Sequence, residues 1–399
     1  MFPNGRNSFY LFIIVLSQFA GTSLWFLGNA VLDDFAKLFS TPVNIALVTS
    51  IIQAGFIAGT LVFAFFTVAD RFKSTHLFFV CSLIAALFNL SIIWFAKDVF
   101  TLCVFRFFTG FFLAGIYPVG MKIASDIFSK KLGNALGFLV GALVIGTAFP
   151  HLLKAQIFHF SFSQIIFASS FIAIFGGALI YFFIPASKPL ASGRIQYSEV
   201  NNLFRITAFR SAALGYFGHM WELYAFWAFV PLAIQLHNSL YKPQLDIPFW
   251  SFFIIAIGAL SCVIGGIASK KMGSLKVASL SLFVSGACCL FSPFLLSAQP
   301  ILFLLFIFTW SFFVIADSPQ FSALVAQSVP AELKGTALTL VTSIGFGITI
   351  VSIQILQKCI SNFGAYGFWL LALGPLFGLF FLFKKRSISG NANLQRQFE

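Results

Sequence analysis

Long apolar runs separated by short polar clusters organise this chain. A hydrocarbon layer about 30 Å thick takes about 20 helical residues to cross, and runs of that order recur along the sequence. They fall near 9–32, 44–68, 76–96, 99–124, 133–153, 163–184, 207–235, 249–268, 277–297, 300–326, 336–357 and 366–383. The pattern predicts an all-α polytopic membrane protein of twelve transmembrane helices. The first run follows one positive charge, Arg6, and no alanine-rich cleavage site follows it. It is longer than the core of a signal peptide, so it reads as the first span.

Composition supports the same picture, since 59% of residues are hydrophobic and 9% are charged. The 58 phenylalanines are spread along the whole chain, in runs such as 63–66 and 377–383, and read as lipid-facing bulk. The net charge of +13 is scattered in short clusters, so nucleic acid is not expected as a partner. Six cysteines sit inside apolar segments without zinc or CxxC spacing and read as buried free thiols. With the N-terminus in the cytoplasm, seventeen lysines and arginines fall on the inner side and five on the outer. This asymmetry predicts an inner-membrane protein with both termini cytoplasmic.

The longest polar interruption contains Pro185, Pro189, Ser192 and Gly193 and follows the sixth span. It divides the chain into an N-terminal six-helix bundle (1–184), a cytoplasmic linker (185–206), a C-terminal six-helix bundle (207–384) and a cytoplasmic tail (385–399). Two weak repeats at an offset of about 200 residues fit this division: 66–73 with 266–273, and Pro118 with Pro319. The second is followed in each half by a Gly-x-Ala-Leu sequence, at Gly133 and Gly335.

Several motifs carry a family resemblance. Phe66-Thr-Val-Ala-Asp70-Arg71-Phe-Lys73-Ser74, between the second and third runs, keeps the Asp-Arg core of Gly-x-Leu-x-Asp-Arg-x-Gly-Arg and loses both glycines. Its second copy keeps Gly266 and Gly273 but has Lys270 in place of the acid. Arg106 and Gly110 match an arginine with a glycine four residues later in the fourth span. Together these resemble the major facilitator superfamily over nearly the full length. The resemblance implies two pseudo-symmetric six-helix bundles, a central cavity lined by spans one, four, seven and ten, and gating by Asp70 and Arg71. Gly137, Gly141 and Gly146 match a drug-antiporter motif in the fifth span, but Ala142 replaces its proline, which speaks against a typical drug exporter.

Ionisable residues deep in the spans are few: Arg106 in the fourth, His219 and Glu222 in the seventh, and Asp317 in the tenth. Each asks for a partner, a wet cavity or a function, because a charge in the bilayer costs about 2.5–3.5 kcal/mol. His219 and Glu222 are three residues apart on one helix and share a face. Glu222 reads either as a proton carrier or as the neutraliser of His219 or Arg106. Asp317, before Ser318-Pro319, reads as a second proton or substrate site or as an acid satisfied at a proline kink. Arg106 reads as an anchor for an anionic solute, part of the proton mechanism, or a structural ion pair. Polar and aromatic candidates for solute binding are Trp25, Asn29, Gln53, Tyr117, Trp221, Tyr224 and Gln320, with Gln18 and Trp310 on the same presumed helices. Gly55 and Gly59, with Gly137 and Gly141, are expected to allow close helix approach suited to rocking of the halves.

No phosphate-binding GxxxxGK[ST] and no HExxH occurs, so neither an enzyme, a metal site nor a cofactor is expected. The expected function is secondary active, proton-coupled transport of a small polar or anionic metabolite by a monomer in the lipid bilayer, with protons as co-substrate. The alternative is export of drugs or of a secreted product such as a siderophore.

Overall fold

The computed structural model describes residues 5–128, 132–158, 160–185, 200–242, 244–330 and 333–388, and among them there is no strand. The N-terminal part comprises α1 (Gly5–Thr22), α2 (Leu27–Ala30), α3 (Leu32–Phe39), α4 (Ile45–Phe65), α5 (Val68–Arg71), α6 (Ser74–Phe95), α7 (Val99–Leu113), α8 (Tyr117–Ile127), α9 (Leu132–Lys154) and α10 (Phe162–Phe183). The C-terminal part comprises α11 (Val200–Arg205), α12 (Thr207–Asn238), α13 (Ile247–Met272), α14 (Ser274–Leu296), α15 (Pro300–Ala316), α16 (Ser318–Gln327), α17 (Lys334–Phe363), a 3-10 helix (Gly364–Ala372) and α18 (Leu373–Ile388). Most of the expected linker, 186–199, and the tail from 389 lie outside the described residues.

Each expected apolar run is helical. Among the described residues, nine segments are long and apolar enough to cross a membrane, the last of them, Lys334–Lys384, taking in two of the runs. Polar residues keep α1 and α12 out of that group: α1 opens on Arg6 and Asn7, and α12 carries His219, Glu222 and Gln235.

Three runs are broken rather than continuous, and the sequence says why. In the first, Thr22 Oγ donates to the Gln18 carbonyl at 2.8 Å and Ser23 Oγ to that of Ala20 at 2.7 Å. Such back-bonding competes with the helix ladder, and α1 ends there. In the fourth and tenth runs, Pro118 and Pro319 each occupy the second position of a new helix, α8 and α16. A proline there has no N–H to leave unsatisfied, and the preceding turn cannot continue unbroken. The two breaks match the repeat offset seen in the sequence.

Packing repeats as well. In the N-terminal part α1 lies on α9 and α10, α4 on α7, and α6 on α10; in the C-terminal part α12 lies on α17 and α18, α13 on α15, and α14 on α18. Two lines of contact join the parts, α4 with α17 and α9 with α13. A twofold exchange of the halves turns one line into the other. Large exposed side chains line α6, α10, α14 and α18, for example Trp94, Phe171, Phe182, Phe291 and Phe380, and continue onto α4, α13 and α15, as a lipid-facing shell requires. By contrast α12 is buried along most of its length.

The glycines of α4 play a different part from the one expected. A Cβ on Gly55 would stand 2.0 Å from the Phe107 carbonyl oxygen, and one on Gly59 2.1 Å from that of Phe111. Both face α7 of the same half, so they lock α4 to α7 rather than ease motion between halves. Gly141 faces Ala259 of α13 across the other half, where a Cβ would lie 3.2 Å from its carbonyl oxygen.

Candidate functional site

Three buried ionisable residues meet where α12 packs on α14, α15 and α16. Glu222 is fully enclosed. Its Oε1 accepts from Trp310 Nε1 at 2.6 Å and Cys289 Sγ at 3.2 Å, and its Oε2 from Ser285 Oγ at 2.9 Å. These donors are all neutral. One turn earlier His219 Nδ1 lies 2.8 Å from Asp317 Oδ1, a close polar contact rather than an aligned hydrogen bond, with both side chains 1% exposed. Asp317 occupies the break between α15 and α16.

This geometry corrects the pairing read from the sequence. His219 and Glu222 lie on adjacent turns of α12 but serve different partners, and Glu222 neutralises neither His219 nor Arg106. The thiol of Cys289 is not inert filling, since it donates to a carboxylate. Ser285 and Cys289 escaped sequence reasoning because α14 carries no charge in its interior and reads as plain lipid-facing helix; the adjacent Cys288-Cys289 pair was the one visible irregularity.

Arg106 is wholly buried in the N-terminal half. Nη1 donates to the Leu24 carbonyl at 3.0 Å and reaches Asn89 Oδ1 at 3.5 Å, while Nη2 donates to the Trp25 carbonyl at 2.5 Å. Leu24 and Trp25 sit in the break after α1, where carbonyls have lost their helical partners. The guanidinium therefore caps the broken end of the helix, where a cation also meets the negative pole of its dipole. This placement leaves Nε as its one nitrogen without a protein partner.

The Trp25 ring, held by that capped turn, enters an aromatic cluster between the halves. It lies 4.8 Å from Phe56, 5.7 Å from Phe346 and 6.0 Å from Tyr224, measured between centroids. Phe26 approaches Tyr224 at 6.2 Å and Trp227 at 6.3 Å. Phe26, Phe56 and Phe346 are thus core residues, not the lipid-facing bulk expected of phenylalanine here. Several buried polar atoms on these elements have no protein hydrogen-bond partner: both amide atoms of Gln53, and the indole N–H of Trp25 and Trp227; both amide atoms of Gln18 are unpartnered too, but they lie against Gly120 of α8 inside the N-terminal half. Asn29 donates to Thr49 Oγ1 at 2.9 Å, and its Oδ1 is without a partner. Buried groups of this kind are uncommon, and a few of them set among apolar walls are what a solute site offers.

The remaining candidates divide. Tyr117 opens α8 and Gln320 is buried in α16. Trp221 leaves the group, because its Nε1 donates to the Leu370 carbonyl at 3.0 Å and its ring packs on Gly374, on the side of α12 turned toward α18. Arg71 is exposed, and its Nε donates to Thr67 Oγ1 at 3.2 Å. Thr67 takes φ of +51°, a left-handed turn made by a non-glycine residue next to Phe66, where the motif has glycine. Lys122 Nζ donates to the Ala69 carbonyl at 2.6 Å and so ties α8 to this loop. The side chain of Asp70 lies outside the described residues.

Hydrogen bonds cross between the halves at one face. Gln354 Nε2 of α17 donates to Ser50 Oγ at 2.9 Å and to the Ala46 carbonyl at 3.1 Å in α4. The Gln156 N–H, just beyond α9, donates to Asp246 Oδ2 at 3.1 Å, and Asp246 also caps α13. Lys154 pairs with Asp34 of α3 at the same face.

The sequence model of the Major Facilitator Superfamily matches residues 10–353. Among solved structures, the fold is similar to that of the human organic anion transporter MFSD10 (TETRAN), with a TM-score of 0.71 and 14% identity over 96% of this chain and 100% of that one. A comparison with curated proteins by sequence found no match.

Proposed function

Because the chain belongs to the major facilitator superfamily, a family of transporters, we propose that it is a proton-coupled secondary transporter of a small polar or anionic organic solute, working by alternating access across the inner membrane with both termini cytoplasmic. The observation that carries the coupling is the buried group of Glu222, His219 and Asp317. Glu222 is held by neutral donors, so it can gain or lose a proton without leaving an opposite charge unpaired. The His219–Asp317 contact offers a second proton-sensitive pair at a helix break, where local rearrangement is least costly.

The solute site we assign is the aromatic cluster with its unpartnered polar atoms. Trp25, Gln53, Asn29 and Tyr224, with Trp227, offer flat apolar faces and neutral hydrogen-bond donors. Arg106 acts in this reading by positioning Trp25 rather than by touching the solute. Tyr117 and Gln320 border the path, and Asp70 with Arg71 gates its cytoplasmic end. The halves 1–184 and 207–384 rock as units about the α4/α17 and α9/α13 contacts, and the linker 185–206 tethers them. The anionic character of the cargo draws on the similar fold of an organic anion transporter and on the neutral N–H donors, which suit carboxylate or carbonyl oxygens.

The test is transport by the purified chain in liposomes with an imposed pH gradient, screened against pooled organic acids and polar metabolites by mass spectrometry. The expected result is accumulation that collapses on adding a protonophore. Accumulation indifferent to the protonophore would refute proton coupling.

A further inference from the structure

Between the start of α14 and the end of α18 lies a surface groove of about 270 Å³. Its apolar wall is Leu275, Leu280, Phe283, Leu382 and Phe383, and Lys276 and Ser279 stand beside it. Leu382, only 3% exposed, forms the floor, while Phe283 at 61% and Phe383 at 48% form exposed rims. Lys276, Ser279, Leu280 and Phe283 follow i, i+3, i+4, i+7 spacing, so one stripe of α14 borders the groove from its charged end inward. At 1.5 Å per residue that stripe runs about 10 Å, the length of roughly eight methylene groups.

We infer that this groove holds one anionic phospholipid, its phosphate at Lys276 and Ser279 and an acyl chain along Leu280 and Phe283 over Leu382. Three observations carry the assignment. An apolar groove on a lipid-facing surface forfeits dispersion contacts unless a chain fills it. Lys276 takes part in no ion pair among the described residues, and neither 247–316 nor 333–398 contains an Asp or Glu. Lys270 and Lys271 close α13 and Lys384 lies near the end of α18, so basic residues of three helices gather at this one end. That end faces the cytoplasmic leaflet by the charge asymmetry of the loops, and basic pockets between helices there suit anionic headgroups. A second copy of the chain is disfavoured as occupant, because a twofold contact would bring the same lysines together.

The experiment is native mass spectrometry of the full chain released from phosphatidylcholine vesicles containing a minority of phosphatidylglycerol. The expected result is one phosphatidylglycerol retained per chain. Lys276→Gln lowers retention about fivefold, the effect of one lysine near an anionic headgroup, and Lys97→Gln, on the opposite face, leaves it unchanged. Ser279→Trp keeps the charge and fills the groove, and also expels the lipid. Equal retention by wild type, Lys276→Gln and Ser279→Trp would overturn the site, as would equal retention of phosphatidylcholine. Displacement of the lipid by inorganic phosphate would reduce it to a free-anion site, and a dimer broken by Ser279→Trp would assign the groove to a second copy.

Discussion

Replacing Glu222 separates the proton from the hydrogen bonds. Glu222→Gln keeps the length and volume of the side chain and one carbonyl oxygen to accept from Trp310 Nε1, now bonded at 2.6 Å. The new amide NH₂ faces Ser285 Oγ, which rotates to accept and also has the Leu282 carbonyl at 3.3 Å as an alternative acceptor. The net cost is about 1 kcal/mol, one neutral hydrogen bond. Glu222→Ala instead leaves the buried Trp310 N–H without an acceptor and opens space against Cys289, which costs about 2–4 kcal/mol. Thermal unfolding in detergent therefore ranks wild type above Gln above Ala. In liposomes Glu222→Gln loses pH-driven accumulation at least tenfold but retains solute counterflow, which requires no net proton movement. Wild-type accumulation by Glu222→Gln would refute its role in coupling. Equal destabilisation by Gln and Ala would refute the hydrogen-bond account of the site.

Other substitutions probe the remaining parts. His219→Ala strands the Asp317 carboxylate in a buried position and is expected to cost about 3–5 kcal/mol, whereas pairing it with Asp317→Leu recovers most of that loss in thermal melts. Arg106→Lys keeps the charge but not the fork that holds the Leu24 and Trp25 carbonyls together; solute affinity falls and tryptophan fluorescence shifts as Trp25 leaves the cluster. Ser50→Cys with Gln354→Cys, bridged by a short bifunctional thiol-reactive cross-linker, is expected to lock the halves together and stop transport, while either single cysteine treated alike still transports. Gly110→Leu would place a Cβ 2.1 Å from the Ile52 carbonyl oxygen and force α4 from α7, with expression and melting temperature falling by more than for the surface change Phe100→Leu.

The family, the helical class and the break at Pro319 were legible in the sequence, because each depends on local chemistry; the matching break at Pro118 was visible only as a repeat of that proline. Apolar length decides what crosses a bilayer, proline cannot extend a helix, and a rare charge in an apolar run stands out. Arg106, His219, Glu222 and Asp317 were visible for that last reason. Their partners were not. Whether His219 met Glu222 three residues away or Asp317 nearly a hundred residues away depends on how α12 is rotated against its neighbours, and helical spacing constrains only residues on the same helix. Arg106 chose two backbone carbonyls, which have no identity in a sequence; Ser285 and Cys289 are small polar residues that look the same in a lipid-facing helix as beside a carboxylate. For the same reason Phe26, Phe56 and Phe346 were indistinguishable from the phenylalanines that face lipid. In a membrane, apolarity says that a residue avoids water, and only tertiary packing decides whether it meets lipid, another helix or the solute.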